Sequence, residues 1–189
     1  MSRKKRAGLD TDAVVQEAIQ LADELGYDKL TLAALAARLG IKTPSLYNHI
    51  QGLDDLRQRM AIHGLEGLYS ALLHAVKLDA GNPIQAVAEA YVAFADENSG
   101  VYAASLLAPD AQVPRWQELG EQIVQLISNL AEPYSLEPDE VIHWVRGFRS
   151  MLHGFASLRQ AGGFGMPIAL DESLQYMVKT YMRGAQAQR

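Results

Sequence analysis

Thr31-Leu32-Ala33-Ala34-Leu35-Ala36-Ala37-Arg38-Leu39-Gly40-Ile41-Lys42-Thr43-Pro44-Ser45-Leu46-Tyr47-Asn48-His49-Ile50 is the stretch that decides the fold of this chain. Leu32, Leu35, Ala36 and Leu39 recur at three and four, the spacing of one helical face, with Thr31 placed to cap the first turn and Gly40 to stop the last. Thr43 then precedes Pro44, a capping residue followed by proline at the first helical position, so a second helix starts there and runs to about Ile50. The two form a helix-turn-helix. Ala36 is small where the helices cross, Gly40 supplies the left-handed backbone that the turn needs, and Leu35, Leu39, Ile41, Leu46 and Ile50 make a shared core. Lys42, Thr43, Ser45, Tyr47, Asn48 and His49 are left projecting. They are short donors and acceptors with one cation, a chemistry suited to base edges and phosphates in a major groove. The same pattern also fits a small helical bundle whose polar face is simply solvated.

Outward from this stretch the spacing stays helical. On the N-terminal side Val14, Val15, Ala18, Ile19, Ala22 and Leu25 repeat at three and four, with Asp10 or Thr11 as N-cap and Gly26 as the stop. On the C-terminal side a long helix is expected from about Leu53 to Leu78. At ~1.5 Å per residue it spans about 39 Å, enough to join a head to a body. Further helices are expected at 83–98, 101–107, 115–131, 138–161 and 171–187, with Pro83, Pro109, Pro114, Pro133, Pro138 and Pro167 between them or at their starts. No strand alternation persists. The fold class is all-α, about nine helices, divided into a head at 1–52 and a body at 53–189.

The last two helices are more apolar than one buried face requires. Trp144, Phe148, Met151 and Phe155 form one stripe, Val141, Val145, Leu152 and Ala156 a neighbouring one, and Leu174, Met177, Val178, Tyr181 and Met182 a third on the final helix. A core and a symmetric homodimer seam would use them all, with Leu152, Phe155, Met177 and Tyr181 at the seam. The alternative buries every stripe within one monomer.

Composition bounds the function. The 189 residues are 49% hydrophobic, enough for a sizeable core, and the absence of cysteine removes disulfides, thiolate zinc sites and cysteine nucleophiles together. Arg3-Lys4-Lys5-Arg6 is basic like the start of a signal peptide, yet no apolar run follows, and nothing approaches the ~18 apolar residues of a membrane span. A soluble cytoplasmic protein is expected. The formal charge of −5 argues at first against a nucleic-acid partner, but it is unevenly placed. Nine of the 17 Lys/Arg and eight of the 22 Asp/Glu fall before residue 64, a net of +1, which leaves the remainder at −6. The basic tail at 3–6 is suited to phosphates or a minor groove, or else to keeping the chain soluble.

With these residues in view, the first fifty to sixty positions resemble the DNA-binding head of TetR-type transcriptional regulators: an initial helix ending in Leu-Gly, then Leu30-Thr31-Leu32, Leu39-Gly40-Ile41 and Ser45-Leu46-Tyr47-Asn48-His49-Ile50 before a long linker helix. The resemblance implies a homodimer whose heads enter successive major grooves of a palindromic operator in double-stranded DNA, usually to repress. By position it places Thr43, Pro44, Ser45, Tyr47 and His49 at the family's contact sites, Tyr47 and His49 on phosphates, Thr43 and Ser45 nearer to bases. Asn48 adds an amide for a base, and Lys42 a cation. Two positions depart from the pattern: Ala33 stands where some members place a base-reading arginine, and Leu53 where many place a phosphate-binding lysine. Arg57 or the basic tail is then expected to supply phosphate contacts.

The segment from Trp144 to Leu158 resembles the Trp-His-Gly type of C-terminal domain in a subset of these regulators, carried by His153-Gly154, with Arg149 where the signature has tryptophan. Gly154 is expected at a close helix approach, and His153 is expected to bond a neighbouring backbone or the partner subunit. The wider family implies an effector cavity in the body, whose occupation tilts the linker helices. Tyr69, Tyr91, Phe94, Tyr102, Trp116, Trp144, Phe148 and Met151 are the candidate lining, and their character implies a mainly apolar or planar effector. Gly162-Gly163-Phe164-Gly165 lacks the strand and spacing of a nucleotide loop and is expected to be a connector. His63, His74, His143 and His153 with scattered carboxylates offer general bases, and Asp139, Glu140 and His143 lie near metal-ligand spacing. No nucleophile, base and orienting group share a recognisable spacing, so neither catalysis, cofactor nor metal is expected. A constitutive regulator without a ligand and a helical enzyme remain as alternatives.

Overall fold

The structure is a computed structural model that describes residues 9–107, 110 and 112–186. Nine α-helices and no strand occur among the described residues: α1 Thr11–Leu25, α2 Leu32–Leu39, α3 Thr43–Leu46, α4 Leu53–Leu78, α5 Pro83–Glu97, α6 Ser99–Ala104, α7 Pro114–Asn129, α8 Pro138–Gln160 and α9 Leu170–Gln186. Short 3-10 turns at Tyr27–Lys29 and Glu132–Tyr134 were not expected from the spacing. The basic tail at 3–6 lies outside the described residues.

The helices gather into two compact units. The first takes the chain up to Leu65 and picks it up again from Asn98 through α6; the second holds Glu66–Glu97 and the chain from α7 onward. α4 therefore contributes its first half to one unit and its second half to the other. In the first unit α1 packs on α2 and α6, and Val14, Ala18, Ala22, Leu35, Leu46, Leu56 and Met60 are fully buried. In the second, α5 packs on α8 and α9, and α7 on α8, around Val87, Leu119, Phe148 and Leu152. Burying a leucine or phenylalanine of this kind stabilises by roughly 1.5–3 kcal/mol against leaving it in water.

Helix ends follow local chemistry. Asp10 is the N-cap of α1 and accepts from the Ala13 N–H at 2.8 Å, while Thr11 uses its hydroxyl elsewhere. Thr31 caps α2, accepting from the Ala34 N–H at 3.1 Å. At α8 the Glu140 carboxylate accepts from the Glu137 N–H at 2.9 Å, completing a reciprocal cap, so this acidic turn serves the helix end. At the other end of α8 the Gly163 N–H reaches back to the Leu158 carbonyl at 2.8 Å, with Gly162 left-handed at φ +66°. Residues 161–169 then run exposed to α9. No described helix is long and apolar enough to cross a membrane.

Two helices differ from expectation. α3 ends at Leu46 and its N-cap is Lys42, so Thr43 is already helical. Tyr47, Asn48 and His49 donate their N–H groups three residues back, at 3.3, 3.3 and 2.8 Å, which tightens the last turn beyond α geometry. α6 occupies 99–104, beginning two residues and ending three residues before the expected 101–107, and the buried Ser105 closes it by donating to the Tyr102 carbonyl at 2.8 Å.

Candidate nucleic-acid interface

The element singled out in the sequence is built on a fixed turn. Gly40 sits at φ +67°, ψ +32° and its N–H reaches the Ala36 and Ala37 carbonyls, while the Ile41 N–H returns to Ala36 at 3.0 Å. A β-carbon at Gly40 would meet nothing, so glycine is needed there for its left-handed backbone and not for space. From this turn α3 lays Leu46 and Ile50 into the core, 0% and 2% exposed. Lys42, Pro44, Tyr47 and Asn48 are exposed, and Thr43, Ser45 and His49 half-buried. All seven residues expected at the interface thus lie on one short segment with water on its polar side.

Three sets of contacts hold that segment. The Thr11 hydroxyl donates to the His49 carbonyl at 3.2 Å, tying the end of the turn to the start of α1. Arg38 of α2 clasps α1: its guanidinium donates to Glu17 at 2.9 Å, Glu24 at 2.6 Å and Gln20 at 3.3 Å. Hydrogen bonding from Arg38 holds the Glu24 carboxyl below its ordinary 4.5 and raises Arg38 in turn. Asp55 accepts from the Gln51 N–H at 2.8 Å and from Arg59 at 2.9 Å, fixing the entry to α4. Arg57, expected to offer itself to phosphates, is half-buried with its guanidinium over the Tyr27 ring at 5.3 Å. Burial pushes the Tyr27 phenol above its usual range while Arg57 pulls it down.

A further support comes from far along the chain. The Gly100 N–H donates to Asp23 at 2.6 Å, and a β-carbon on Gly100 would stand 2.6 Å from the backbone of Ala22 and Asp23. Only glycine lets α6 lie this close to α1. The sequence showed no local signal for this, because the partners are 77 residues apart.

Of the expected effector lining, Tyr102 falls in the first unit, buried at 4% exposure, and the other seven fall in the second. Tyr91, Trp116, Trp144 and Phe148 are buried there, and Tyr69, Phe94 and Met151 half-buried. Trp144 and Phe148 stack at 5.3 Å, and Tyr181 leans on both at 6.0 and 5.9 Å. The Tyr181 hydroxyl donates to the Trp144 carbonyl at 2.7 Å, and burial raises its phenol above the ordinary value. The indole N–H groups of Trp116 and Trp144 are buried without a partner among the described residues.

The expected seam residues divide. Leu152 and Phe155 are buried within a single chain, whereas Met177 and Tyr181 are half-buried. Within the single chain, a β-carbon on Gly154 would meet nothing within 4 Å, so no helix of the same chain approaches closely there. The close approach on this helix belongs to Gly147, whose missing side chain makes room for the Tyr181 hydroxyl. His153 is half-buried and engaged.

Comparison with known proteins supplies the rest. Residues 14–60 match the family model described as bacterial regulatory proteins of the tetR family, and residues 84–181 match a tetracyclin repressor-like C-terminal domain. The HTH-type transcriptional regulator YobS of Bacillus subtilis is 35% identical over 95% of this chain and 94% of its own. A protein of unknown function from Rhodococcus sp. RHA1 has the same fold, with TM-score 0.76 at 24% identity over 97% of this chain and 98% of that one. So does a TetR variant from Acinetobacter baumannii AYE in complex with minocycline, with TM-score 0.69 at 18% identity over 94% and 99%.

Proposed function

Given that the chain belongs to the TetR family of dimeric, DNA-binding transcriptional regulators, we propose that two copies read a palindromic operator and repress until a small effector releases them. Lys42, Thr43, Ser45 and Asn48 carry specificity at base edges; Tyr47 and His49 take phosphates, with Pro44 at the same surface. The observation that carries this reading is the row of short polar side chains above the buried Leu46 and Ile50. Groups on such a footing keep their spacing when they meet a duplex. The division of labour follows, with 1–52 as the DNA-binding head and 53–189 for effector binding and dimerisation, acting in the cytoplasm.

In the body, Tyr69, Tyr91, Phe94, Trp116, Trp144, Phe148 and Met151 are proposed as the effector's surroundings, in keeping with the small molecule bound by the Acinetobacter relative. An effector releases DNA only through a difference in affinity for two arrangements of the chain. The dimer seam is proposed on the outer faces of α8 and α9. Ile142 and Leu158 on α8, at 49 and 51% exposed, supply apolar surface there that the buried Leu152 and Phe155 cannot, with the half-buried Met177 and Tyr181 on α9 beside them.

Selection of bound sequences from a random DNA pool tests the operator reading. A two-fold symmetric motif with half-sites about one helical turn apart is expected. Enrichment of no symmetric motif would sink it. Fluorescence titration of candidate compounds, with Trp116 and Trp144 as reporters, tests the effector reading.

A further inference from the structure

Two arginines of the second unit, Arg115 and Arg159, are engaged with acids. Arg115 holds Glu66 at 2.8 Å and Glu118 at 3.0 Å, and Arg159 holds Asp96 at 2.8 Å and faces Asp171 at 3.7 Å. Lys179 and Arg183 differ. They stand one turn apart on α9, make no ion pair among the described residues, and line the same open cleft of about 660 Å³. That volume is within the range of small-molecule sites. Asn82 and Gln175 add amide groups to the lining, and no carboxylate does. Like charges one turn apart repel each other. The end of α9 favours Arg183 through its free carbonyls, but Lys179 lies further up the helix, so the helix end does not account for the pair.

The remaining lining is apolar. Ile84, at the start of α5, and Met182 are half-buried, and Val178 is 3% exposed. The first turn of α5 carries no acidic residue. In an acidic protein, a cleft with two uncompensated cations beside a short apolar wall is complementary to a molecule with the opposite division of character.

We infer that this cleft binds an amphipathic organic anion, its carboxylate or phosphate head between Lys179 and Arg183 and its hydrocarbon against Ile84, Val178 and Met182. The inference adds a ligand site apart from the ring cluster proposed above and rests on the regulator reading for its biological meaning alone, because the binding itself involves no DNA.

The test is calorimetric titration of the full chain with octanoate, octyl phosphate and octanol, in wild type and two variants. Lys179→Gln with Arg183→Gln removes both cations from the cleft; Lys77→Gln with Arg146→Gln removes two charges from residues outside its lining. At least one of the two anions is expected to bind wild type about tenfold or more tightly than octanol, and which one names the head group. The cleft variant is expected to bring that anion down to the level of octanol, and the control variant to leave it within about twofold. Equal binding of octanol, failure of both anions to bind, or tight binding retained in the cleft variant would each overturn the inference. Operator binding, measured separately, is expected to be unchanged in both variants without ligand, so failure of the cleft and failure of the head are read in different assays.

Discussion

In the first unit, polar side chains fix helix ends and helix crossings. Asp10 and Thr31 cap, Arg38 clasps three residues of α1, Thr11 holds the His49 carbonyl and Asp23 holds the Gly100 amide. In the second, large rings stack, and buried polar atoms are left over: the indole N–H groups of Trp116 and Trp144 and one oxygen of Asp96 have no partner among the described residues. The first unit leaves one such atom, the Arg57 Nε. Directional bonds specify a single geometry, which a surface must have if it is to match a rigid duplex. Stacked rings specify volume and tolerate rearrangement. An unmet buried donor costs about 1–3 kcal/mol, so the two indoles are where an acceptor would be most welcome in the second unit.

The comparison breaks most readily at Gly100. A valine there has no room against the backbone of Ala22 and Asp23, and backbone does not yield cheaply, so Gly100→Val is expected to lower stability by about 3 kcal/mol, read by thermal denaturation. If it melts like wild type, the first unit is not held as tightly as its bonds imply. Next in size, Asn48→Ala on the exposed side of the turn is expected to weaken operator binding by about 2 kcal/mol, roughly thirtyfold, with the melting temperature unchanged.

A matched pair in the ring cluster sharpens the contrast. Tyr181→Phe removes the hydroxyl that serves the Trp144 carbonyl and is expected to destabilise by about 1 kcal/mol. Trp144→Phe removes an unmet N–H but also part of the stacked surface, so its loss is expected to be smaller than the 3–5 kcal/mol typical of truncating such a ring to alanine. Tyr181 also sets an alkaline limit. Because burial raises its phenol above 10.0, its contribution is full below pH 10.0 and is lost as pH climbs through the raised value; the phenylalanine variant is expected to lack that loss in pH-dependent melting.

The smallest effect belongs to Glu24, an exposed partner of Arg38. Its carboxyl is held below 4.5, so the clasp is intact above that pH and weakens as pH falls through the lowered value. Glu24→Gln is expected to flatten the acid side of the stability profile slightly, and salt is expected to shrink the difference, as for exposed charges generally.

Most of the fold was legible because it is periodic. Leu53–Leu78 has the bounds that its apolar spacing marks, and Thr31 and Gly40 cap and stop α2 by local chemistry alone. The misses that matter to the interface depend on partners distant in sequence. Glu17, Gln20 and Glu24 share a face of α1 by spacing, but nothing local says that an arginine from the next helix will land there. α3 stops short of Ile50, and the carbonyl of His49, at its close, is held by Thr11 from the first helix. Gly147 and Gly154 are seven residues apart on α8 and so lie on nearly the same face; only the position of Tyr181 tells which one is needed for space. At the interface, residue types and their side of the helix were readable, while Arg57's withdrawal onto Tyr27 was not.

The return of α6 to α1 has a consequence for anyone recombining such proteins. A gene fragment that stops at Leu65 encodes the proposed reading surface but leaves out the glycine that lies on Ala22 and the amide that answers Asp23. Chimeras that graft this specificity onto another regulator therefore need two inserts, one from each side of the α5 coding sequence, and the donor's Asp23 must travel with its own Gly100.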